Sequence, residues 1–141
     1  MSIKRKDVLR LRIPFPNISS TLAVSSHMYI CRNVEESTYE FVKCQTLKPS
    51  MLASNIMRHF WDEHPDPARN PFHCTTRIDC DKVFQTSGVY YDDALKTTSR
   101  PDVCDDVMAQ IETKLLCDGY NTIYMNSQDV LSLNPYTSAM E

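Results

Sequence analysis

Glycine is almost absent from this chain: Gly88 and Gly119 are the only two glycines among 141 residues. The loops that cradle nucleotide phosphates need two or three closely spaced glycines, so neither a dinucleotide-binding loop nor a P-loop can be present. With 42% apolar residues, a chain of this length can bury a core of its own. The sequence therefore predicts a single domain over residues 1–141.

The sequence gives no indication of a membrane span or an export signal. No apolar run approaches the roughly 20 residues that a membrane-spanning helix needs. The first residues, MSIKRKDVLRLR, are basic but lack the apolar stretch and cleavage site of a signal peptide. We therefore expect a cytoplasmic protein with no membrane partner.

Charge is distributed unevenly along the chain, whose formal net charge is −3. Residues 1–77 hold 11 Lys+Arg and 7 Asp+Glu, whereas residues 78–141 hold 4 and 11. A polyanion, if one binds, should meet the N-terminal half. The same charge blocks are equally compatible with solvated surface.

Six cysteines occur without an export signal and without a CxxC pair, which argues against a disulfide framework. His73, Cys74 and Cys80, with His59 and His64 nearby, form the best candidate metal cluster. Their spacing matches no structural zinc pattern. We expect buried free thiols, no metal site and no cofactor.

Hydrophobic alternation predicts strands that are clustered early in the chain. The predicted strands cover residues 6–13, 27–31, 39–44, 76–86 and 88–91. Residues 17–26 are expected to form an exposed loop, and residues 32–37 a polar hairpin loop. A first helix begins at Pro49 and includes Phe60 and Trp61, and a proline-rich connector follows at 64–72.

A second helix is predicted over residues 101–117, with Thr98 or Ser99 as its N-cap and Gly119 at its end. Residues 120–141 are expected to form one short strand or helical turn and then a fraying tail. The predicted fold class is mainly β with attached helices (α+β), arranged as a small antiparallel barrel or sheet.

The order of the predicted strands, loop and helix along the chain is similar to that of a known family. A basic strand over residues 4–8 leads to the proline-containing loop 14–17. A second strand covers 26–31, and a third ends in Thr46. A later strand over 77–83 precedes the helix at 101–117. In this order and spacing the chain resembles the MazF/PemK family of type II toxins.

The resemblance implies an SH3-like antiparallel β-barrel with a C-terminal helix. Residues 50–72 would be a helix-plus-loop insertion, and residues 120–141 an extension. It also implies a homodimer that is inhibited by a protein antitoxin and cleaves single-stranded RNA without a metal or cofactor. In that reaction the ribose 2′-OH attacks the neighbouring phosphodiester. The site must therefore take the 2′-OH proton, stabilise a pentavalent phosphorane and protonate the 5′ leaving oxygen.

Ser26 and His27 stand where the family has Arg-Pro, so the family's second-strand arginine is missing. His27 is the candidate for proton transfer, because imidazole titrates near neutrality. Thr46 is the candidate hydroxyl for a phosphate oxygen. Arg77 is the candidate for the lost cation, since a guanidinium can span two phosphoryl oxygens. Each of these residues can instead be an ordinary strand or loop residue.

Contacts to RNA are expected from Lys43 and from the loop after the first strand. Phe15 can stack on an unpaired base, and Asn17, Ser19 and Ser20 can hydrogen-bond to bases or backbone. The loop is equally compatible with an unliganded hairpin.

A non-catalytic SH3-like binding module is the alternative function. Loss of the family arginine removes a catalytic cation, and the acidic C-terminal half favours a basic protein partner over RNA. Salt-sensitive RNA binding would count against this alternative.

Overall fold

Short strands dominate the fold. The structure, a computed structural model, describes residues 3–52 and 59–140. The strands are β1 Val8–Leu11, β2 His27–Glu35, β3 Thr38–Thr46, β4 Phe60–Glu63, β5 Thr76–Asp79, β6 Lys82–Ser87, β7 Val89–Tyr91, β8 Asn121–Tyr124 and β9 Thr137–Ala139. The helices are α1 Thr21–Val24, α2 Pro49–Leu52, α3 Asp105–Asp118 and α4 Ser127–Leu133, with a 3₁₀ turn at Asp93–Leu95.

One sheet contains seven of these strands, in the order β1-β2-β3-β5-β4, with β6 beside β3 and β8 beside β6. Its pairs are antiparallel except for β6 and β8, which are parallel. β3 pairs with β6 along residues 38–41 and with β5 along residues 44–46. β7 and β9 form a separate antiparallel pair. The prediction of a mainly β, antiparallel fold with attached helices is confirmed.

Side-chain alternation gives the sheet two buried faces. We call the first the α3 face, because the helix α3 packs on it. Its members include Val8, Ile30, Val42, Ile78, Val107, Ile111 and Leu115. We call the second the aromatic face. Its members include Leu9, Tyr29, Phe41, Phe84, Tyr91 and Val130.

The aromatic face changes from apolar to polar along β3. Tyr39 and Phe41 are buried, whereas Lys43 and Gln45 on the same face are half-buried. Tyr91 of β7 packs against Phe41 with the ring centroids 5.1 Å apart, and this contact covers the apolar part. This part of the face therefore holds Lys43 and Gln45 at a partly open surface.

The first predicted helix is wrong at its C-terminal end. α2 is described over Pro49–Leu52, residues 53–58 lie outside the described part of the chain, and Phe60 and Trp61 belong to β4. Trp61 lies opposite Ile78 of β5. Aromatic side chains pack well on a pleated, half-buried surface, and this pairing outweighs the helical spacing of the apolar residues.

The second predicted helix begins too early. α3 starts at Asp105 with Cys104 as its N-cap. The preceding residues are extended along β1, where the Val8 N–H donates to the Pro101 carbonyl at 2.8 Å, so they cannot be helical. The predicted helix end is confirmed: Gly119 is the C-cap at φ +77°, a backbone conformation that favours glycine.

The C-terminal extension is regular structure rather than a fraying tail. β8 adds to the sheet, α4 packs on the aromatic face through Val130, and β9 pairs with β7. Asn134 joins the extension to β1. Its Oδ1 accepts from the Arg12 N–H at 2.7 Å, and its Nδ2 donates to the Arg12 carbonyl at 2.8 Å. Local sequence patterns indicate few of these contacts, because the apolar residues of 120–141 are few and divided among short elements.

Three other boundaries differ from the prediction. The expected loop at 32–37 is only a tight turn, because β2 continues to Glu35 and β3 begins at Thr38. The expected strand at 76–86 is divided into β5 and β6 at residues 80–81, and the loop at 17–26 contains α1. Within residues 3–52 and 59–140, no helix is long and apolar enough to cross a membrane.

Candidate functional site

Four strands bring polar side chains together at one end of the aromatic face, which we call the polar end. Its members are His27, Lys43, Gln45, Asp62, Arg77 and Asp79. Gln45 lies opposite Arg77 and Arg77 lies opposite Asp62, while Tyr29 lies opposite Lys43. Because directly opposed residues project to the same face of a sheet, these side chains share one surface.

His27 is held in a defined protonation geometry. Its Nδ1 lies 3.0 Å from the Ser25 carbonyl oxygen. A carbonyl oxygen only accepts hydrogen bonds, so Nδ1 carries the proton and the neutral ring has its lone pair on Nε2. The Nε2 atom has no hydrogen-bond partner among the described residues.

The surroundings of His27 favour its neutral form. Burial is the main cause that lowers the pKa of the imidazole; the hydrogen bond to the Ser25 carbonyl raises it in part, and the charges of Lys43 and Lys48 lower it. Lys43 is half-buried and Lys48 exposed, and neither forms an ion pair within the part of the chain that the structure describes. The arrangement is a neutral base beside two free cations. Sequence reasoning missed Lys48, although two lysines flanking Thr46 were a visible signal.

Arg77 lies on the same face, but its guanidinium already contacts other side chains of the protein. Its Nε and Nη2 each donate to a different carboxylate oxygen of Asp62 at 2.8 Å. Its guanidinium carbon lies 3.6 Å from the centre of the Phe60 ring. The side chain is only 6% exposed. The donors that would span a phosphate are thus directed at Asp62.

Thr46 lies at the end of β3 and is exposed. It pairs with Thr76, whereas its neighbour Gln45 pairs with Arg77. Adjacent residues of a strand project to opposite faces. The structure therefore brings His27 and Lys43 together but places the Thr46 side chain on the other face of the sheet edge.

Asp79 is the most perturbed acid of the polar end. The residue is only 2% exposed. Burial raises the pKa of its carboxyl to about 6. Its one side-chain hydrogen bond among the described residues is a long one, 3.4 Å from the Gln45 Nε2. This group is too deeply buried to contact a macromolecular ligand directly.

The loop after β1 uses its polar groups internally. The Phe15 ring packs edge-on against Phe84 at 5.6 Å. The Asn17 Oδ1 accepts from both the N–H and the hydroxyl of Ser19 at 3.0 Å. The Ser20 hydroxyl donates to the Phe15 carbonyl at 2.6 Å. In the structure, these four residues, which were predicted to contact RNA, instead make contacts within the protein that stabilise the loop after β1.

The cysteines are all free thiols. Cys31, Cys44 and Cys80 are buried, as expected, whereas Cys74 and Cys117 are exposed, so the prediction is wrong for those two. Burial raises the pKa of the Cys31 and Cys80 thiols to about 12, which leaves them unreactive at neutral pH. No group of three His, Cys, Asp or Glu that could hold a metal ion occurs in residues 3–52 and 59–140.

Comparison of the chain with protein-family models, curated proteins and solved structures finds no match. The resemblance to MazF/PemK toxins stays a prediction that rests on motif order.

Proposed function

We propose that the chain is a MazF/PemK-like endoribonuclease that binds single-stranded RNA at the polar end. The observation that carries the proposal is the His27 ring. Its Nδ1 proton is committed to the Ser25 carbonyl, its Nε2 can accept a proton, and two lysine charges act on it. A base beside cations is what attack of a ribose 2′-OH on its own phosphodiester requires.

The proposal includes closure of the strands into an SH3-like barrel. β3 pairs with β6 along residues 38–41 and with β5 along residues 44–46. The Tyr29 and Phe84 rings fill the space inside, edge to face with centroids 5.9 Å apart. The interiors of small β-barrels are filled by side chains in this way, which supports the assignment.

The proposed reaction needs no metal. The 2′-OH loses its proton to Nε2 of His27 while its oxygen attacks phosphorus. The bond from phosphorus to the 5′ oxygen breaks, which gives a 2′,3′-cyclic phosphate and a free 5′-OH. The Lys43 and Lys48 ammonium groups balance the extra negative charge of the phosphorane, and a lysine proton passes to the leaving 5′ oxygen.

The remaining partners follow from the resemblance. We propose that the protein acts as a homodimer and that a protein antitoxin covers the polar end.

A cleavage assay in EDTA tests the proposal. Purified wild type is incubated with a long RNA of mixed sequence, beside His27→Ala and the matched control His73→Ala, an exposed histidine of the connector. Wild type and His73→Ala should release fragments with 2′,3′-cyclic phosphate ends, and His27→Ala should not. Intact RNA after incubation with folded wild type would overturn the proposal, and so would cleavage that depends on added metal.

A non-catalytic binding module is the second candidate, favoured by the engagement of Arg77. The Arg77 guanidinium is held by Asp62 and Phe60. The polar end therefore lacks a guanidinium whose paired N–H donors are available to two oxygens of a phosphoryl group. This candidate predicts binding of a basic protein and no bound or cleaved RNA. Salt-sensitive RNA binding by the purified chain would argue against it.

A further inference from the structure

Arg10 and Arg12 differ from the other described arginines. Five arginines form ion pairs with carboxylates at 2.8–3.0 Å: Arg5, Arg32, Arg69, Arg77 and Arg100. Arg10 and Arg12 are exposed, and neither guanidinium has a carboxylate partner within residues 3–52 and 59–140. Within the described residues, the charges of Arg10 and Arg12 are therefore not neutralised by an ion pair.

Both arginines line one cavity. Arg10 lies on β1 and Arg12 directly follows its last residue, Leu11, so the two side chains are two residues apart along the chain. The cavity measures about 240 Å³, and Ser26, Leu95 and Tyr136 also line it. This volume is below the roughly 300–1,000 Å³ of sites for whole small molecules, and it suits part of a nucleotide better than a complete cofactor.

Tyr136 gives the cavity an aromatic wall. Its side chain is exposed (64%), and its backbone has φ +62°, which is unusual for tyrosine. The Tyr136 carbonyl accepts from the Asp92 N–H at 3.0 Å. Two residues earlier, Asn134 binds both backbone groups of Arg12. These contacts hold the backbone of Tyr136 to that of Asp92, and the backbone of Arg12 to the Asn134 side chain.

We infer that this cavity, the Arg10–Tyr136 pocket, binds a nucleotide of single-stranded RNA outside the polar end. Arg10 and Arg12 hold its phosphates, and Tyr136 stacks on its base, the combination that sequence-tolerant single-strand binding uses. Ser26 borders the pocket and directly precedes His27 in the chain. The inference rests on the proposed function.

Binding of a labelled, cleavage-resistant 2′-O-methyl oligoribonucleotide, measured by fluorescence anisotropy at several salt concentrations, tests the inference. The variant Arg10→Gln/Arg12→Gln should bind more weakly. Its slope of log affinity against log salt should fall by about 1.4, since each phosphate contact to a single strand contributes roughly 0.7. Tyr136→Leu should lose roughly fivefold or more in affinity with an unchanged salt slope.

Matched variants separate the pocket from general charge. Lys114→Gln removes a cation from α3, away from the pocket, and should bind as wild type does. Arg10→Lys/Arg12→Lys should recover most of the salt slope, and circular dichroism checks that each variant is folded. Wild-type affinity and slope in both pocket variants would overturn the inference but leave the proposed function standing. Failure of wild type to bind the oligonucleotide at all would overturn both.

Discussion

Replacing Asp62 by alanine tests whether the ion pair between Asp62 and Arg77 stabilises the fold. The Arg77 side chain is 6% exposed and its charge is matched by Asp62, whose side chain is 29% exposed. Without the carboxylate, the guanidinium keeps its Phe60 contact but loses its ion pair while almost buried, and among the described residues only the charge of Asp79 still acts on it. Removing one partner costs about 3–5 kcal/mol in a buried pair and about 0–1 kcal/mol in an exposed one. We expect about 2 kcal/mol for this half-covered pair.

Urea unfolding followed by circular dichroism measures this cost. For a small domain the free energy of unfolding falls by about 1–3 kcal/mol per molar urea. A loss of about 2 kcal/mol therefore lowers the unfolding midpoint by roughly 1 M. Asp105→Ala is the matched control, because the Asp105 carboxylate is 92% exposed in its pair with Lys6, and its midpoint should not shift measurably.

A double variant completes the test. Asp62→Ala/Arg77→Met removes the uncompensated charge and should be more stable than Asp62→Ala alone. If Asp62→Ala unfolds at the wild-type midpoint, Arg77 is not held as the structure shows, and its guanidinium is available to a phosphate after all.

Three further outcomes are expected. Since the pKa of Asp79 is raised to about 6, the folded protein prefers the neutral carboxyl and gains stability as pH falls from neutrality through that value. Asp79→Asn should therefore raise the free energy of unfolding near pH 7.5 by on the order of 2–3 kcal/mol, which raises the urea midpoint, and should leave both nearly unchanged near pH 4; no gain near pH 7.5 would contradict this. Thr46→Ala should keep the wild-type midpoint, because the side chain is exposed, and should cleave RNA in EDTA at the wild-type rate, because that side chain lies on the face opposite His27; a slower rate would place Thr46 in the site. Induced expression of wild type should arrest bacterial growth and His27→Ala should not, as colony counts will show; equal counts would contradict a toxin.

Patterns within single segments predicted much of the fold. The alternation of Leu9 and Leu11 with Arg10 and Arg12 correctly indicated β1, and Gly119 correctly marked the end of α3. Errors arose where a distant partner decides the conformation. Trp61 is in a strand because β5 lies beside it, and residue 101 is extended because β1 binds it. No pattern of local spacing contains that information.

The candidate site was predictable only in part. His27 and Lys43 were named from the sequence, and the register of β2 and β3 brings their charges into range of each other. The occupation of Arg77 by Asp62 was not predictable, because β4 had been interpreted as helix. The orientation of Thr46 depends on one residue of register, which the sequence does not fix.

The pH dependence of RNA cleavage in EDTA tests the central role of His27. The rate should rise with pH to a plateau, with a midpoint below the usual imidazole pKa of about 6.5, because only neutral His27 accepts the 2′-OH proton. Lys43→Gln should move that midpoint upward, since the Lys43 charge lowers the pKa of His27. A cleavage rate that does not depend on pH across this range would contradict the account. So would a midpoint that is the same in Lys43→Gln as in wild type.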